Sequence, residues 1–220
     1  MTRTDKGYKG IGMEGTIARW YAKNTGKDRT RFAEQAQSVL EYAPAGGDIL
    51  EVAPGPGYLA IKLARTGNYQ VTGLDVSTSF VQIARQKAAE AGVQVDFRHG
   101  NAAAMPFDDE SFDFIACCAA FKNFSDPVGA LREMHRVLRP GGSVYINDLR
   151  RDVSKKAVDE EVARMGVGPV NAAIIRYVLR SVLPRRAYDK KQFTAIVAHT
   201  NFRTFNIQET PMSLLVELRK

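Results

Sequence analysis

The stretch Asp48 to Ala64, DILEVAPGPGYLAIKLA, constrains this chain more than any other. Ile49, Leu50 and Val52 form a short apolar run of buried-strand character. Ala53-Pro54-Gly55-Pro56-Gly57 breaks that run, and Leu59, Ile61, Leu63 and Ala64 follow at helical spacing. A strand, a glycine turn and a helix in this order form the nucleotide or nucleoside corner of a doubly wound α/β sheet. Glycine suits the turn because a side chain there would fill ligand space, and because the backbone can need φ > 0.

The alternation continues downstream. Val71 to Val76 reads as a second strand ending in Asp75, and Ser77 to Glu90 as a helix with Phe80, Val81, Ile83 and Ala84 inward. Val93 to Arg98 is a third strand and Ser111 to Cys118 a fourth. Asp126 caps a helix with Pro127 at its first position, running to Leu138. Arg139-Pro140-Gly141-Gly142 then turns into a fifth strand, Ser143 to Leu149. Asp189 to His199 reads as a last helix, and Thr204 to Glu209 and Met212 to Leu218 as a closing hairpin. The expected fold is a doubly wound, Rossmann-like, seven-stranded sheet, mostly parallel with an antiparallel C-terminal strand, and helices on both faces.

Two ligands compete for the glycine turn. Gly55-x-Gly57-x-x-Ala60 with Asp75 downstream roughly fits a dinucleotide fingerprint. That fingerprint holds a pyrophosphate on backbone N–H groups, and Pro54 and Pro56 each remove one. Glu51 beside the turn would repel phosphate and suit a cation. A ligand with a ribose, an amine and a sulfonium, S-adenosylmethionine, fits better. Asp75 at the end of the second strand can accept both ribose hydroxyls, since a carboxylate only accepts and both hydroxyls donate. Ser77 competes with it as the cap of the following helix.

With Glu51-x-Ala53-x-Gly55-x-Gly57, the chain resembles the class I S-adenosylmethionine-dependent methyltransferases, whose opening motif reads acid-x-Gly-x-Gly-x-Gly. Ala53 replaces the first glycine. The likeness is greatest over SDPVGALREMHRVLRPGGSVYINDL, which matches the branch containing the ubiquinone/menaquinone-biosynthesis enzymes nearly throughout. The Asn/Asp-Pro-Pro-Tyr/Phe signature of adenine- and glutamine-N-methyltransferases is absent from Ala119 to Phe124. The resemblance implies cofactor contacts from Tyr21, Glu51, Ala53, Pro54, Gly55, Gly57, Asp75, Val76, Asn101, Ala102 and Cys118. Asn101 stands where the family often has an Asp for the adenine amine, with Ala102 and Met105 flanking the purine. It also implies one domain: an N-terminal helical lid at 1–43, a cofactor-binding core at 45–150, a helical insertion over the substrate pocket at 151–188, and a C-terminal helix and hairpin at 189–220.

Residues 1–12 read as a loose glycine- and lysine-rich segment. In the lid, Met13 to Thr25 is a short helix with Ile17, Trp20 and Tyr21 near one face, and Asp28 caps a second helix to about Tyr42. The insertion reads as a helix near Ser154 to Met165 and another from Pro169 to Leu183, whose Arg176 and Arg180 sit among apolar residues. Charge is unevenly spread within the net +7: eight Lys/Arg against three acids in residues 1–31, eleven against five in 150–191, and twelve against sixteen elsewhere. The basic flanks suit a solvated surface, an anionic substrate, a membrane surface or RNA.

Methyl transfer from a sulfonium is an in-line displacement that needs chiefly alignment. A hydroxyl acceptor would also need a base, for which Lys122 and Asp148 are the weak candidates at the sheet edge. Cys118 reads as a structural cysteine rather than a nucleophile. Three isolated histidines offer no metal-ligand spacing, so no metal is expected. With two adjacent cysteines, no apolar leader in MTRTDKGYKG and no run long enough to span a bilayer, a cytoplasmic setting is expected. The expected partners are a small-molecule substrate and no nucleic acid, with possible peripheral membrane contact and a monomer or homodimer. The alternatives are an RNA-modifying enzyme, a cofactor-binding module without transferase activity and, last, an NAD(P)-dependent dehydrogenase.

Overall fold

The structure is a computed structural model that describes residues 7–9, 12–26 and 29–220. Asp28, the expected helix cap, lies outside the described residues, as do residues 1–6, 10 and 11 of the expected loose segment. Seven strands form one sheet: β1 (Gly47–Val52), β2 (Tyr69–Asp75), β3 (Asp96–His99), β4 (Phe112–Cys118), β5 (Leu138–Leu149), β6 (Thr204–Glu209) and β7 (Ser213–Arg219). Their spatial order is β3-β2-β1-β4-β5-β7-β6, with β7 alone running opposite to the other six. The chain reverses its winding between β1 and β4. In such sheets ligands bind outside the strands' carboxyl ends at that reversal.

Alternation along β1 separates two cores. Leu50 and Val52 pack with β4 and β5 residues, Leu131 and Met134 of α5 (Pro127–Val137) and Phe193 and Val197 of α8 (Lys190–Val197). Ile49 faces the other side, with Val39 of α2 (Arg29–Leu40), Leu59 and Leu63 of α3 (Tyr58–Ala64) and Val81 and Ala84 of α4 (Thr78–Glu90). Each fully buried Leu or Ile contributes about 1.5–3 kcal/mol. Capping follows from local chemistry. Asp126 accepts from Gly129 N with Pro127 at the first turn, Ser154 accepts from Ala157 N ahead of α6 (Lys155–Arg164), and Asp189 forms a capping box with Gln192.

Several elements depart from the expected pattern. The third strand begins only at Asp96, because Gly92 takes φ +68 after α4 and Val93 N bonds Ala88 O, which closes that helix with the residues expected to start the strand. The Arg139–Gly142 turn is absorbed into β5 as a bulge: Phe112 faces Leu138 whereas Phe114 already faces Ser143. In α1 (Gly15–Thr25) the buried face is Ala18 and Ala22, while Trp20 is 68% exposed. Small residues let α1 lie close, so Ile17 and Trp20 point outward rather than into the core. The helix expected from Pro169 to Leu183 is regular only as α7 (Pro169–Tyr177), then widens into a π-turn at Val178–Val182 and tightens at Leu183–Arg185. Pro184 lacks the N–H that Arg180 O would have received.

Ala53 takes φ +59, a left-handed conformation at the position where the related pattern has glycine. Ala53→Gly is expected to raise stability by about 0.5–1 kcal/mol, the relief of backbone strain exceeding the extra unfolded-state freedom. Urea unfolding would check this, and a lowered midpoint would refute it.

Candidate functional site

Glu51 ends β1 with 4% of its surface exposed, among the apolar residues of the α3 face. Its Oε2 is buried without a hydrogen-bond partner. Burial pushes its carboxyl up to about 8, against a lesser pull from the Ala60 amide and a further push from Asp75. Asp75, 6% exposed at the end of β2, accepts from Gly55 N at 2.9 Å and Ser77 N at 2.8 Å. Burial pushes it up to about 6, opposed by those two amides. Ser77 takes the helix cap, accepting from Phe80 N, so Asp75 stitches the glycine turn to the start of α4. A carboxylate has about four acceptor sites, and these two contacts leave capacity for further donors.

The turn's own donors are spent. Pro54 and Pro56 have none, Gly55 N goes to Asp75, and Gly57 N goes to Pro54 O at 3.1 Å. Its two glycines differ in purpose. A Cβ on Gly57 would lie 2.8 Å from Phe97 Cζ and 2.9 Å from Ala84 Cβ, so this glycine serves helix–sheet packing. One on Gly55 would meet only Phe80, at 4.0 Å, so that side of the turn is open.

The N-terminal residues cover this corner. The Glu14 carboxylate accepts from Thr78 N and Ser79 N, both at 3.0 Å, and Ser77 Oγ donates to Met13 O at 2.6 Å. Tyr21 stands edge-on to Phe80 with centroids 5.7 Å apart, which places it beside the open side of Gly55. Gly7 lies against Val76 and Asn101, where its Cβ would be 3.0 Å from Val76 Cγ2. The Asn101 side-chain oxygen accepts from Ala103 N at 3.0 Å and keeps one acceptor site. Ala102 packs at the rim of the core, and Met105 lies inside it, 5% exposed.

At the ends of β4 and β5, Lys122 and Asp148 hold each other. Lys122 Nζ donates to Asp148 Oδ1 at 2.7 Å and to Ala119 O, and Asp148 Oδ2 accepts from Lys122 N at 2.7 Å. Both side chains are more than nine-tenths buried. Both oxygens of Asp148 are thus engaged by neighbouring donors. Spacing along the chain gave no sign of this pairing, which depends on β4 and β5 being neighbours. Cys118 ends β4 where Glu51 and Gln35 approach it, and burial raises its thiol, as it does that of Cys117, which disfavours a nucleophile. Among the described residues no group of three His, Cys, Asp or Glu could hold a metal ion. No helix among them is long and apolar enough to cross a membrane.

Residues 50–146 match the family model described as a methyltransferase domain. A demethylmenaquinone methyltransferase of Chlorobaculum tepidum is 42% identical over 118 residues, covering 54% of this chain and 47% of that protein. The chain spans about half the length of the curated relatives it matches. Among solved structures, a Methanococcus maripaludis protein shares the fold with a TM-score of 0.72 at 19% identity, over 96% of this chain and 95% of that one, and an S-adenosylmethionine-dependent methyltransferase from Aquifex aeolicus with a TM-score of 0.65 at 19% identity, over 87% of this chain and 97% of that one. The [4+2]-cyclase SpnF aligns with a TM-score of 0.60 at 26% identity, over 79% of this chain and 58% of that one. Over residues 50–146 this chain is similar to a methyltransferase domain, and the curated relatives that it resembles are methyltransferases of menaquinone or ubiquinone biosynthesis.

Glu51 binds its proton more tightly when folded, at about 8 against an ordinary 4.5. The contribution of Glu51 to the stability of the ligand-free protein is therefore complete below the ordinary value and is lost as pH rises towards 8. Glu51→Gln should flatten that decline; thermal melts across the window would show it, and an unchanged slope would refute it.

Proposed function

We propose that this protein transfers the methyl group of S-adenosylmethionine to a small-molecule acceptor. One observation carries the cofactor reading: a corner whose turn amides are all spent and whose two terminal carboxylates are buried. Such a corner suits hydroxyls and a cation, and its turn offers a pyrophosphate no free amide. That weakens the support for a dinucleotide. S-adenosylmethionine, when bound, supplies a methyl group already activated by a sulfonium.

The residues then have these roles. Asp75 accepts the ribose hydroxyls. Glu51, ionised by a neighbouring positive charge, gives its orphaned oxygen a partner. Gly55 leaves the room that a side chain would take. Val76, Asn101 and Ala102 flank the base, with Tyr21 closing over the top, and Ala53, Pro54, Gly57 and Cys118 form the floor. The reaction is an in-line displacement served by alignment, which is worth roughly 7–11 kcal/mol when orientation is good. With Lys122 and Asp148 committed to each other, an acceptor that is already nucleophilic suits this site best. The acceptor is apolar or anionic: α7 turns Val170, Ile174 and Tyr177 to the surface, and the flanks are basic. The setting proposed is cytoplasmic.

A cofactor-binding module that does not transfer methyl groups is the second reading. It is favoured by the likeness to a cyclase and by the absence of a free base beside the β4 and β5 ends among the described residues. Calorimetric titration with S-adenosylmethionine and with S-adenosylhomocysteine tests both readings at their root. Saturable binding, weakened about tenfold or more by Asp75→Ala, is expected; tenfold is about 1.4 kcal/mol. No binding of either compound to folded wild type would overturn the cofactor assignment. Conversion of bound cofactor in a screen of apolar and anionic acceptors then separates transferase from module.

A further inference from the structure

The two basic flanks meet in space. Lys9, from the first, and Arg151, Arg185 and Arg186, from the second, line one open cleft of about 470 Å³ together with Tyr188 and Gln192. The lining contains no carboxylate. Several arginines elsewhere are matched with acids: Arg136 with Glu133 and Asp109, Arg139 with Asp48 and Asp113, Arg150 with Asp152 and Glu209. The arginines expected to meet an anion, Arg176 and Arg180, are also spent, both on Asp159. Asp189, next to the cleft, is committed to the α8 cap. The four cleft cations make no ion pair among the described residues.

Part of the cleft is also held in place. Lys9 Nζ donates to Tyr188 Oη at 2.7 Å, and Arg186 Nη1 donates to Lys9 O at 3.1 Å. Lys9 N bonds Asn123 O, fixing residue 9 to the loop after β4, and Arg151 N bonds Tyr188 O at 3.0 Å. The other side of Tyr188 stands with Phe121, Lys122 and Asp148. The cleft therefore opens just beyond the carboxyl ends of β4 and β5, on the edge where the acceptor is expected.

We infer that this cleft is a docking site for a multiply charged oxyanion, a phosphate or diphosphate ester group carried by the acceptor. Like charges lining one concavity repel one another, and an anion between them removes that cost. Guanidinium groups pair with phosphate oxygens two at a time. The cleft volume falls within the roughly 300–1,000 Å³ of ordinary small-molecule pockets. A membrane would meet a flat or convex basic surface with protruding apolar groups, not a concavity floored by Tyr188, Ala195 and Ile196. Nucleic acid would call for stacking aromatics, and the single ring here is occupied: Tyr188 carries Lys9 over its face at 5.0 Å and lies edge-on to Phe121 and Phe193.

The acceptor role rests on the methyltransferase reading, whereas the anion site does not. Titration with inorganic pyrophosphate at low salt, with and without saturating S-adenosylhomocysteine, tests them apart. The variant is Arg151→Gln with Arg185→Gln, since neither side chain has a structural partner among the described residues. One equivalent of pyrophosphate should bind in either state. The double variant should lose about tenfold or more in that affinity, with S-adenosylhomocysteine binding and the melting temperature unchanged. Normal S-adenosylhomocysteine binding with no pyrophosphate binding, or with binding that the variant leaves intact, would overturn the cleft alone. Displacement of pyrophosphate by S-adenosylhomocysteine would do the same, by placing the anion in the cofactor corner. Vesicles rich in phosphatidylglycerol form the last arm: binding that the variant abolishes and pyrophosphate cannot displace would make the cleft a lipid contact and refute the proposal. Failure of S-adenosylhomocysteine to bind, with pyrophosphate behaving as expected, would remove the cofactor assignment and the acceptor role, and support the anion site itself.

Discussion

Desolvation of two carboxylates governs this molecule. A doubly wound sheet splays the chain apart where its winding reverses, so the ends of β1, β2 and β4 are roofed by loops rather than by a helix's apolar face. Apolar residues there would seal the crevice. Glu51 and Asp75 instead leave it chemically unfinished, one with an orphaned oxygen and both holding protons above their ordinary range. Such groups are costly unless a ligand completes them. The N-terminal residues packed over the corner, the spent turn amides and the open side of Gly55 all make sense as arrangements around that deficit.

The two ends of the sheet handle charge differently. At β1 and β2 the buried acids lack a cation. At β4 and β5 the buried Asp148 has one in Lys122, and it also accepts from the Lys122 and Leu149 amides. Removing either partner alone would strand a buried charge, an expensive state. The pair sits between the cofactor corner and the basic cleft, and Tyr188 and Phe121 pack against it.

Much of this was readable in the chain because local chemistry decided it. The Ala53–Gly57 turn, the Asp126-Pro127 start, the Asp189 helix and the apolar runs of the central strands carry their own instructions, and all seven strands were expected in the observed order along the sequence. The losses came where tertiary partners decide. Nothing near Arg176 or Arg180 announces Asp159, which faces them only because α6 and α7 pack together. Which face of α1 turns inward is not readable from the chain, because packing against α4 selects the alanine face and leaves Ile17 and Trp20 exposed. Lys9 and Arg186, almost the whole chain apart, cannot be seen as neighbours in the sequence. The turn at Gly141-Gly142 was visible, but not that β4 would pair on both sides of it and make it a bulge.

The placement of β7 has a consequence in time. It lies inside the sheet, between β5 and β6, yet is made of Ser213–Arg219. Until those residues are in place, β5 is an edge, with the buried side chains of Val144 and Ile146 and a row of unpaired amides open to any passing strand. Pairing β5 with a segment more than sixty residues later in the chain is slow by its topology. The vulnerable interval of this fold is therefore its last step, and sealing depends on a strand that contributes nothing to the cofactor corner. Damage to that hairpin would show first as aggregation rather than as a defect in binding.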